Sequence, residues 1–534
     1  MHLRAIAPIL LATAATLPAE DAAFAGPVSL GMAGARIASV DDNTAAFVNP
    51  AMLGFMSRDL EEGQESIPAD NQDLAAKDFG LGIVDYAGTV RVHGRLADYI
   101  EQLSELDVDS LQDLGQNPDA EDLDQLVKIS ALLETYSETS DFVTADVSVG
   151  LLNLRAWRIG LGVRMNGHMA AAIDDLDRSN IGISLGSFPE ITDAINSIDP
   201  SGFTGGAGYT PGGGTFSAAQ VDILSAAIAG NTASSFSDLT ADQQAAVARL
   251  DQAAANAGLT AAEVDAIIGS AGPQAGLLTQ IIETAGAATG QLEDNTTAVA
   301  GVAMAYAEIP IAFGYAPADW ISIGIAPKLL IGKVGAVKVR LAEDVDDLSD
   351  YFEDALDDSE QTITGSVDAG IAVRMPWFQA ALVGRNLTRP VFKAPTVSVV
   401  GAQAGDPAIL RFFTPDDMEL EPQATVGVAF IPWERLVIEA DLDLNPVQLA
   451  LNGYEVQRAA IGMRCDLWFI EPMLGLSTNL AEDDIGEVVH AGLGIDLWAF
   501  RINAAGAVAL DTVEVDGDEV PREVSAGLGI DTEW

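Results

Sequence analysis

Few residues in this chain could carry chemistry. Its histidines are His2, His93, His168 and His490, and its only cysteine is Cys465. None of these residues lies in an H-E-x-x-H metal motif, and the chain contains neither a G-x-S-x-G nucleophile motif nor a phosphate-binding loop. The acidic runs Asp344–Asp350 and Asp516–Glu519 lack the EF-hand spacing with its central glycine and terminal glutamate. The sequence therefore predicts a protein that is not an enzyme, with no catalytic residue, cofactor or metal site.

Charge and cysteine content narrow the class further. The chain carries 26 Lys and Arg residues against 79 Asp and Glu residues, a net charge of −53. Such a surface repels phosphate backbones, which excludes nucleic acid as a partner. We interpret the excess acid as solvated loops. The single cysteine forbids an intrachain disulfide, so stability must come from burial and strand pairing.

The first residues have the pattern of a secretory signal. Arg4 provides a positive start, Ala5–Leu17 is an apolar stretch too short for a membrane span, and Ala23-Phe24-Ala25 fits a small-x-small cleavage site. We predict a signal peptide over residues 1–25 and a mature chain from Gly26, with cleavage after Ala19 as the alternative. No other stretch of the sequence is long and apolar enough for a transmembrane helix.

Apolar and polar residues alternate through the second half of the chain. The pattern is clearest over residues 487–497 and 521–534, where the hexapeptide Ala-Gly-Leu-Gly-Ile-Asp occurs twice, at 491–496 and at 526–531. This period of two indicates strands with one apolar face. That face could meet the core of a soluble sandwich or the lipid around a barrel, and alternation alone does not separate the two.

The positions of the tryptophans distinguish a soluble sandwich from a barrel in lipid. All seven lie in short turns between alternating runs or at the chain end: Trp157, Trp320, Trp377, Trp433, Trp468, Trp498 and Trp534. A transmembrane barrel concentrates tryptophan in a belt at the water–lipid boundary. Short turns also alternate with longer acidic loops, as in outer-membrane barrels. We predict an all-β fold with about fourteen antiparallel transmembrane strands, exported to the outer membrane of a Gram-negative-type bacterium.

Residues of the inward face would line the barrel lumen. We predict this position for Arg374, Glu439, Arg464, His490 and Asp496. These arginines, with Arg458, would balance the acids Asp368, Glu439, Asp441, Asp466 and Asp496, because an unpaired acidic wall is costly to bury. We predict the barrel over residues 77–534, with helical inserts at 95–138 and 216–290 in outer loops.

About fifty residues between the signal and the first strand form a glycine-rich segment, residues 26–76. Its motif residues are Gly31, Gly34, Asp41, Asp42, Asn49 and Pro50. The pattern Gly31-x-x-Gly34-Ala35, the Asp-Asp-Asn stretch and Asn49-Pro50-Ala51 resemble the N-terminal plug of FadL-type outer-membrane transporters. The chain is still more similar to a sister group called conjugal transfer protein TraF, whose name implies nothing about conjugation here. The resemblance implies a fourteen-stranded barrel with an internal plug.

The resemblance also implies passive uptake of hydrophobic small molecules. Such a ligand would enter at the loop end, meet the plug, and leave when the plug moves or sideways at a strand irregularity such as Pro310. The implied partners are outer-membrane lipid, a hydrophobic ligand, and the barrel-assembly machinery through the C-terminal strand. Two alternatives stay open: a structural or assembly protein of the outer membrane whose helical inserts dock a partner, and a secreted soluble β-protein.

Overall fold

The computed structural model contains one closed antiparallel barrel. It describes residues 24–56, 79–94, 142–174, 210–228, 235–239, 296–340, 359–433, 435–448, 454–497, 500–515 and 518–533, with residues 244, 247, 248, 251 and 355. The predicted signal up to residue 23 and the predicted insert 95–138 lie outside these residues. No helix in the described part of the chain is long and apolar enough to cross a membrane.

Fourteen strands form the barrel, each paired with its neighbours in chain order. They are β1 (Phe79–His93), β2 (Phe142–Ala156), β3 (Ile159–Asp174), β4 (Ala298–Ala318), β5 (Ile321–Arg340), β6 (Thr362–Met375), β7 (Phe378–Arg385), β8 (Gln423–Trp433), β9 (Leu436–Asp443), β10 (Arg458–Cys465), β11 (Ile470–Asn479), β12 (Val488–Leu497), β13 (Phe500–Ala509) and β14 (Glu523–Glu533). Pairing of β1 with β14, from Gly80 opposite Glu533 to Arg91 opposite Glu523, closes the cylinder. The predicted fold class is thus confirmed.

The two faces of each strand meet different surroundings. On β4, the odd-numbered Ile311, Phe313 and Tyr315 are exposed on the outer surface, whereas Glu308 and Ala312 are buried on the inside. The same alternation of exposed apolar and buried residues runs around the cylinder. Since a soluble barrel would bury these apolar side chains, this outer surface is one that lipid covers.

One rim of the barrel consists of tight turns. Two-residue turns connect Ala156 with Ile159, Ala318 with Ile321, Met375 with Phe378, Trp433 with Leu436, and Leu467 with Ile470. Five tryptophans lie at this rim and are strongly exposed: Trp157, Trp320, Trp377, Trp433 and Trp468. Trp498 and Trp534 lie outside the described residues. Indole rings at one level fit the boundary between lipid and water.

At the opposite rim the loops are long and partly folded. The loop after β7 pairs Val391–Phe392 with Met418–Glu419 and Val397–Ser398 with Phe412–Phe413, and it includes a short helix, Ala408–Arg411. Its Phe392 is fully buried against inward-facing side chains of β4 and β5, including Tyr306 and Leu330. This loop therefore turns into the barrel mouth. Short strand pairs also occur at Val447–Gln448 with Glu455–Val456 and at Thr512–Val515 with Asp518–Pro521.

The insert predicted to be helical over 216–290 is described only in part. Residues Ala218–Ile228 form an α-helix, and Phe236–Asp238 form a 3-10 helix with a capping box at Ser235. Asp251 accepts hydrogen bonds from the backbone N–H groups of Thr215 (2.6 Å) and Phe216 (2.8 Å), which ties the two ends of this piece together.

Strand irregularities lie elsewhere than expected. The prediction of a strand irregularity at Pro310 is wrong. β4 keeps one register with β5 from Ala298 to Tyr315, and the register shifts only between Tyr315 and Ala318. Register shifts do occur between Gly82 and Val84, where β1 faces β14, and between Gly150 and Leu152, where β2 faces β3. Bulges therefore distort two adjacent strands at one level of the wall.

The lipid-facing surface can be tested with a charge. Leu474, in the middle of β11, is 52% exposed on the outer face, and Ile409, in the loop after β7, is 81% exposed. Leu474→Arg should lower the unfolding free energy in lipid vesicles by about 2–4 kcal/mol, because arginine is then placed near the bilayer midplane. Urea unfolding in vesicles measures the change, and the matched Ile409→Arg should be nearly neutral. Equal effects of the two substitutions would show that the outer face of β11 does not meet lipid.

Candidate functional site

Residues 24–56 lie inside the barrel and form a plug. The plug contains helix α1 (Pro27–Gly31), helix α2 (Ala45–Val48) and a 3-10 helix, Pro50–Phe55. α1 contacts β11, β12, β13, β14 and β1, whereas the 3-10 helix contacts β3, β4, β5 and β6. The two ends of the plug therefore rest on opposite parts of the wall. Nearly all of its residues are buried.

Inward-facing glycines of the wall allow this close approach. A Cβ atom on Gly324 of β5 would lie 2.2 Å from the carbonyl carbon of Pro50, and one on Gly370 of β6 would lie 2.2 Å from Asn49 Oδ1. A side chain at Gly324 would occupy space that the plug backbone fills, and one at Gly370 would occupy the space of the Asn49 side chain. The wall therefore carries glycine where the plug touches it.

The motif residues of the plug shape its turns. Asn49 caps the 3-10 helix: its Oδ1 accepts from Ala51 N (3.0 Å), and its Nδ2 donates to Ile37 O (2.8 Å). Pro50 is the first residue of that helix, where a missing N–H costs nothing. Gly34 has φ +83°, a left-handed conformation that favours glycine.

Gly31 is packed directly against the wall. A Cβ on this residue would lie 3.1 Å from Met473 Cβ and 3.2 Å from the Cα of Gly492. Two glycines, one in α1 and one in β12, thus allow the backbones to approach within van der Waals contact.

Two wall carboxylates bind the plug backbone. Asp441 Oδ2 accepts from the N–H groups of Arg36 (2.9 Å) and Ile37 (3.0 Å), and Glu439 Oε1 accepts from Ala38 N (2.5 Å). The sequence predicted arginine partners for these acids; the structure instead pairs them with main-chain donors. Three consecutive N–H groups held in this way fix the centre of the plug to β9.

Ion pairs extend from the plug into the wall. Arg36, whose side chain is 1% exposed, bonds Asp42 at 2.8 Å, while Asp41 binds Arg464 of β10. Burial raises the pKa of the Asp42 carboxyl, but the Arg36 charge and hydrogen bonds from Thr44 outweigh it and leave this pKa below its usual range. The stabilisation that Asp42 contributes is therefore present at neutral pH and is lost only in strong acid.

The same network continues along β11, β12 and β13. Arg464 Nη1 lies 3.3 Å from Glu471, whose other oxygen lies 3.1 Å from Arg501. Arg501 Nε in turn lies 2.7 Å from Asp496. The alternating charges at these distances join strands β10 to β13 and the plug in one network of ion pairs.

The remaining lumen residues of the sequence prediction also lie on the inner face. His490 Nδ1 lies 3.0 Å from Leu30 O of the plug and its Nε2 lies 2.9 Å from Ser477 Oγ. Arg374 donates to Asp319 O at 2.9 Å and stacks over Phe55, 4.2 Å from the ring centroid. Asp466 departs from the expectation: it is exposed in a turn, where it accepts from Trp468 N.

A cavity of about 60 Å³ lies next to the plug at the barrel mouth. Residues that line it include Phe24, Tyr454, Arg458, Ile485 and Val488. Its volume suffices for several water molecules. A smaller cavity of about 20 Å³ lies between the plug and the bulged part of β1, beside Gly82 and Asp85.

A polar and aromatic cluster lies beside this mouth cavity, and the sequence analysis did not predict it. His93 stacks on Phe142 with ring centroids 4.1 Å apart, and its Nδ1 lies 2.8 Å from Asp484. The Tyr454 hydroxyl donates to the same carboxylate at 2.6 Å. The cluster joins the end of β1 to two loops, and no local sequence pattern links residues so far apart.

The fold and this site define a class: a plugged transmembrane β-barrel of the outer membrane. Residues 46–443 match the model of the family described as "F plasmid transfer operon, TraF, protein", and the chain belongs to that family. The resemblance inferred from the plug motif is thereby confirmed. No curated protein matches the chain in sequence.

Solved structures to which the chain is similar include two toluene transporters and a FadL homologue. The toluene transporter TbuX of Ralstonia pickettii is 11% identical, with a TM-score of 0.42 over 97% of this chain and 99% of that one. The toluene transporter TodX of P. putida is 11% identical, with a TM-score of 0.38 over 96% and 98%. A Pseudomonas aeruginosa FadL homologue is 7% identical, with a TM-score of 0.41 over 95% and 98%.

The glycine contacts predict a specific sensitivity of the plug. Gly324→Ala places a Cβ within 2.2 Å of the plug backbone, whereas a Cβ on Gly405 in the loop after β7 meets nothing within 4 Å. We expect Gly324→Ala to lower the unfolding free energy by roughly 1–3 kcal/mol through overpacking. Urea unfolding measures the change, with Gly405→Ala as the matched control. A neutral Gly324→Ala would contradict the contact between Pro50 and β5.

Proposed function

We propose that this protein is a passive outer-membrane channel for hydrophobic small molecules, and not an enzyme. The solute class follows from the resemblance of the plug motif to FadL-type transporters. The observation that carries the proposal is the plug itself, buried in the lumen and bonded to the wall by Glu439 and Asp441. A barrel filled in this way is a closed passage that needs a movement to open.

The proposed route begins at the mouth cavity and continues when α1 leaves the wall. Apolar residues such as Ile485 and Val488 line the entrance, and Leu30 of α1 belongs to the same buried apolar cluster. The regular register at Pro310 gives no support to a sideways exit there. An exit between strands would fit the bulges of β1 and β2 better, where Ile83 and Val84 both face outward.

Domain roles follow from the same proposal. Residues 1–25 act as a cleaved signal peptide, residues 26–76 as the plug segment, and residues 77–534 as the barrel. The C-terminal strand β14, which completes the ring by pairing with β1 and β13, is the segment that the barrel-assembly machinery would recognise.

Uptake by whole cells tests the function. We expect expression in a Gram-negative host that lacks its own hydrophobic-compound channels to increase uptake of radiolabelled oleate and toluene severalfold over the empty vector. Sucrose uptake should not change, because the buried plug occupies the lumen. Unchanged uptake of both lipophilic solutes would overturn the proposal, and equal gains for sucrose would indicate a general pore.

A disulfide between plug and wall tests the movement. In a Cys465→Ser background, Gly31→Cys with Met473→Cys should form a bond, since a Cβ on Gly31 lies 3.1 Å from Met473 Cβ. We expect the oxidised double variant to lose most lipophilic uptake and to regain it under reductant. The two single variants serve as controls. Full uptake by the oxidised protein would show that solute bypasses α1, for instance between β1 and β2.

A further inference from the structure

We propose that Glu439 and Asp441 hold one proton between them, and that this proton keeps the centre of the plug bound to the wall. Loss of the proton as the pH rises loosens that centre and favours opening of the passage. This regulation of the plug rests on the proposed function, in which the plug closes the channel. The proton site lies where the plug backbone is bonded to β9.

The two carboxyl groups lie side by side on the inner face of β9. Glu439 and Asp441 are two residues apart on one strand and are 0% and 5% exposed. Glu439 Oε1 accepts from Ala38 N of the plug. Asp441 Oδ2 accepts from the N–H groups of Arg36 and Ile37. The second oxygen of each group, Glu439 Oε2 or Asp441 Oδ1, is buried and has no donor among the described residues.

One proton supplies the missing donor. Glu439 and Asp441 lie within hydrogen-bonding reach of each other. Ionised carboxylates only accept hydrogen bonds, so a bond between the two groups requires that one of them carries a proton. Two carboxyl groups in one buried site hold this proton firmly, because like charges at such a distance cannot both ionise. The Ser39 hydroxyl is also near Glu439, but no partner lies at hydrogen-bond distance from it in the described part of the chain.

The neighbouring strands offer no cation opposite this pair. The cross-strand neighbours of the two acids are all glycine or alanine: Gly427 and Ala429 on β8, and Ala460 and Gly462 on β10. Since none of these residues carries a charge, no basic side chain opposite the pair can balance a second negative charge. A proton balances it instead.

The cations near the pair already have other partners. Arg36 of the plug acts on Glu439 through its charge, but its guanidinium is bonded to Asp42 at 2.8 Å. Arg464 of β10 binds Asp41 of the plug. These two arginines therefore balance the acids of the plug, and the carboxyl pair of β9 is left with the plug N–H groups and the proton.

The space around the pair suits a proton better than a metal ion. A Cβ on Gly427 would lie 2.4 Å from Asp441 Oδ1, and one on Gly462 would lie 2.5 Å from Met32 O of the plug. Wall and plug atoms therefore fill both sides of the pair. A calcium ion needs six or more oxygen ligands, for which this packing leaves no space. In the described part of the chain, no group of three or more His, Cys, Asp or Glu residues could hold a metal ion.

Loss of the proton would loosen the centre of the plug. Two negative charges at hydrogen-bonding distance repel each other strongly where water is excluded. The second charge must be solvated, and water reaches it only if the plug backbone moves away from β9, because both acids are buried. The bonds from Arg36, Ile37 and Ala38 are the ones that this movement breaks.

Asp441→Asn removes the proton site and keeps its shape. The new amide can donate to Glu439 in place of the shared proton, while its oxygen still accepts from the plug backbone. Asp443→Asn is the matched control. Asp443 is the next acid on the same face of β9, is 3% exposed, and accepts from Thr425 Oγ1 at 2.8 Å. Heat-shifted gel mobility establishes that both variants are folded.

Urea unfolding of the exported protein in lipid vesicles tests the shared proton. Unfolding separates the two carboxyl groups and releases the proton, so the unfolding constant gains a factor of ten per pH unit. We therefore expect the unfolding constant of the wild type, divided by that of Asp441→Asn, to rise about tenfold per pH unit from pH 6 to pH 8. The same ratio for Asp443→Asn should stay constant within a factor of two. A ratio for Asp441→Asn that does not change with pH would overturn the proposal.

Thiol labelling tests the release of the plug. Val40 is fully buried and its N–H donates to Arg36 O at 2.9 Å, close to the bonded centre. In a Cys465→Ser background, Val40→Cys is labelled with a maleimide in detergent, and each rate is divided by that of the same chain in urea. We expect this relative rate to rise at least tenfold from pH 6 to pH 9, and to stay low when Asp441→Asn is added. A low rate at both pH values without Asp441→Asn would show that the proton does not control the plug.

Failure of this inference is distinguishable from failure of the channel, since neither measurement involves a solute. Toluene uptake together with a ratio that is independent of pH removes the proton and keeps the channel. A tenfold dependence per pH unit without lipophilic uptake keeps the proton and removes the channel.

Discussion

Backbone pairing in lipid is the constraint on which this structure depends. An N–H or C=O group without a partner costs several kcal/mol in hydrocarbon, so a sheet in a membrane must have no edge. Pairing of β1 with β14 removes the last edge, even though these strands are hundreds of residues apart in sequence. Once the ring is closed, every strand has one face toward lipid and one toward the lumen. The alternation of the sequence is a consequence of that geometry.

A ring of fourteen strands encloses more space than side chains alone can fill. The plug fills it, and its main chain brings polar groups into the interior. Those groups find partners in the wall: Asp441 and Glu439 accept consecutive N–H groups, and Arg464 binds Asp41. Each such acid would be costly to bury without this donor. The polar groups of the lumen therefore serve to hold the plug.

Sequence patterns predicted the strands, which are local features, but not the contacts between residues that are far apart in sequence. A period of two and tryptophans at turns predicted fourteen strands, because both signals lie within a few residues. The last part of β5, up to Arg340, is harder to predict from the sequence, because both faces of the strand are buried there and Val334, Ala336 and Val337 no longer alternate with polar residues. The bond between Asp41 and Arg464 and that between His93 and Asp484 join residues that no periodicity relates.

The two ends of the plug are held by different kinds of contact, and this difference decides which end can move. The 3-10 helix lies backbone to backbone against β5 at Gly324, and Asn49 packs against Gly370 of β6, so that end has no space in which to shift. The centre is bonded through Arg36, Ile37 and Ala38 to two carboxylates. α1 instead packs through Leu30 in one apolar cluster with Phe24, Ile485 and Val488, three residues that line the mouth cavity. A displacement that begins at α1 must break the contact between Gly31 and Gly492 and the hydrogen bond between His490 and Leu30 O. Ejection of the whole plug must also break the main-chain hydrogen bonds to Glu439 and Asp441. Opening from the α1 end is therefore the less costly movement.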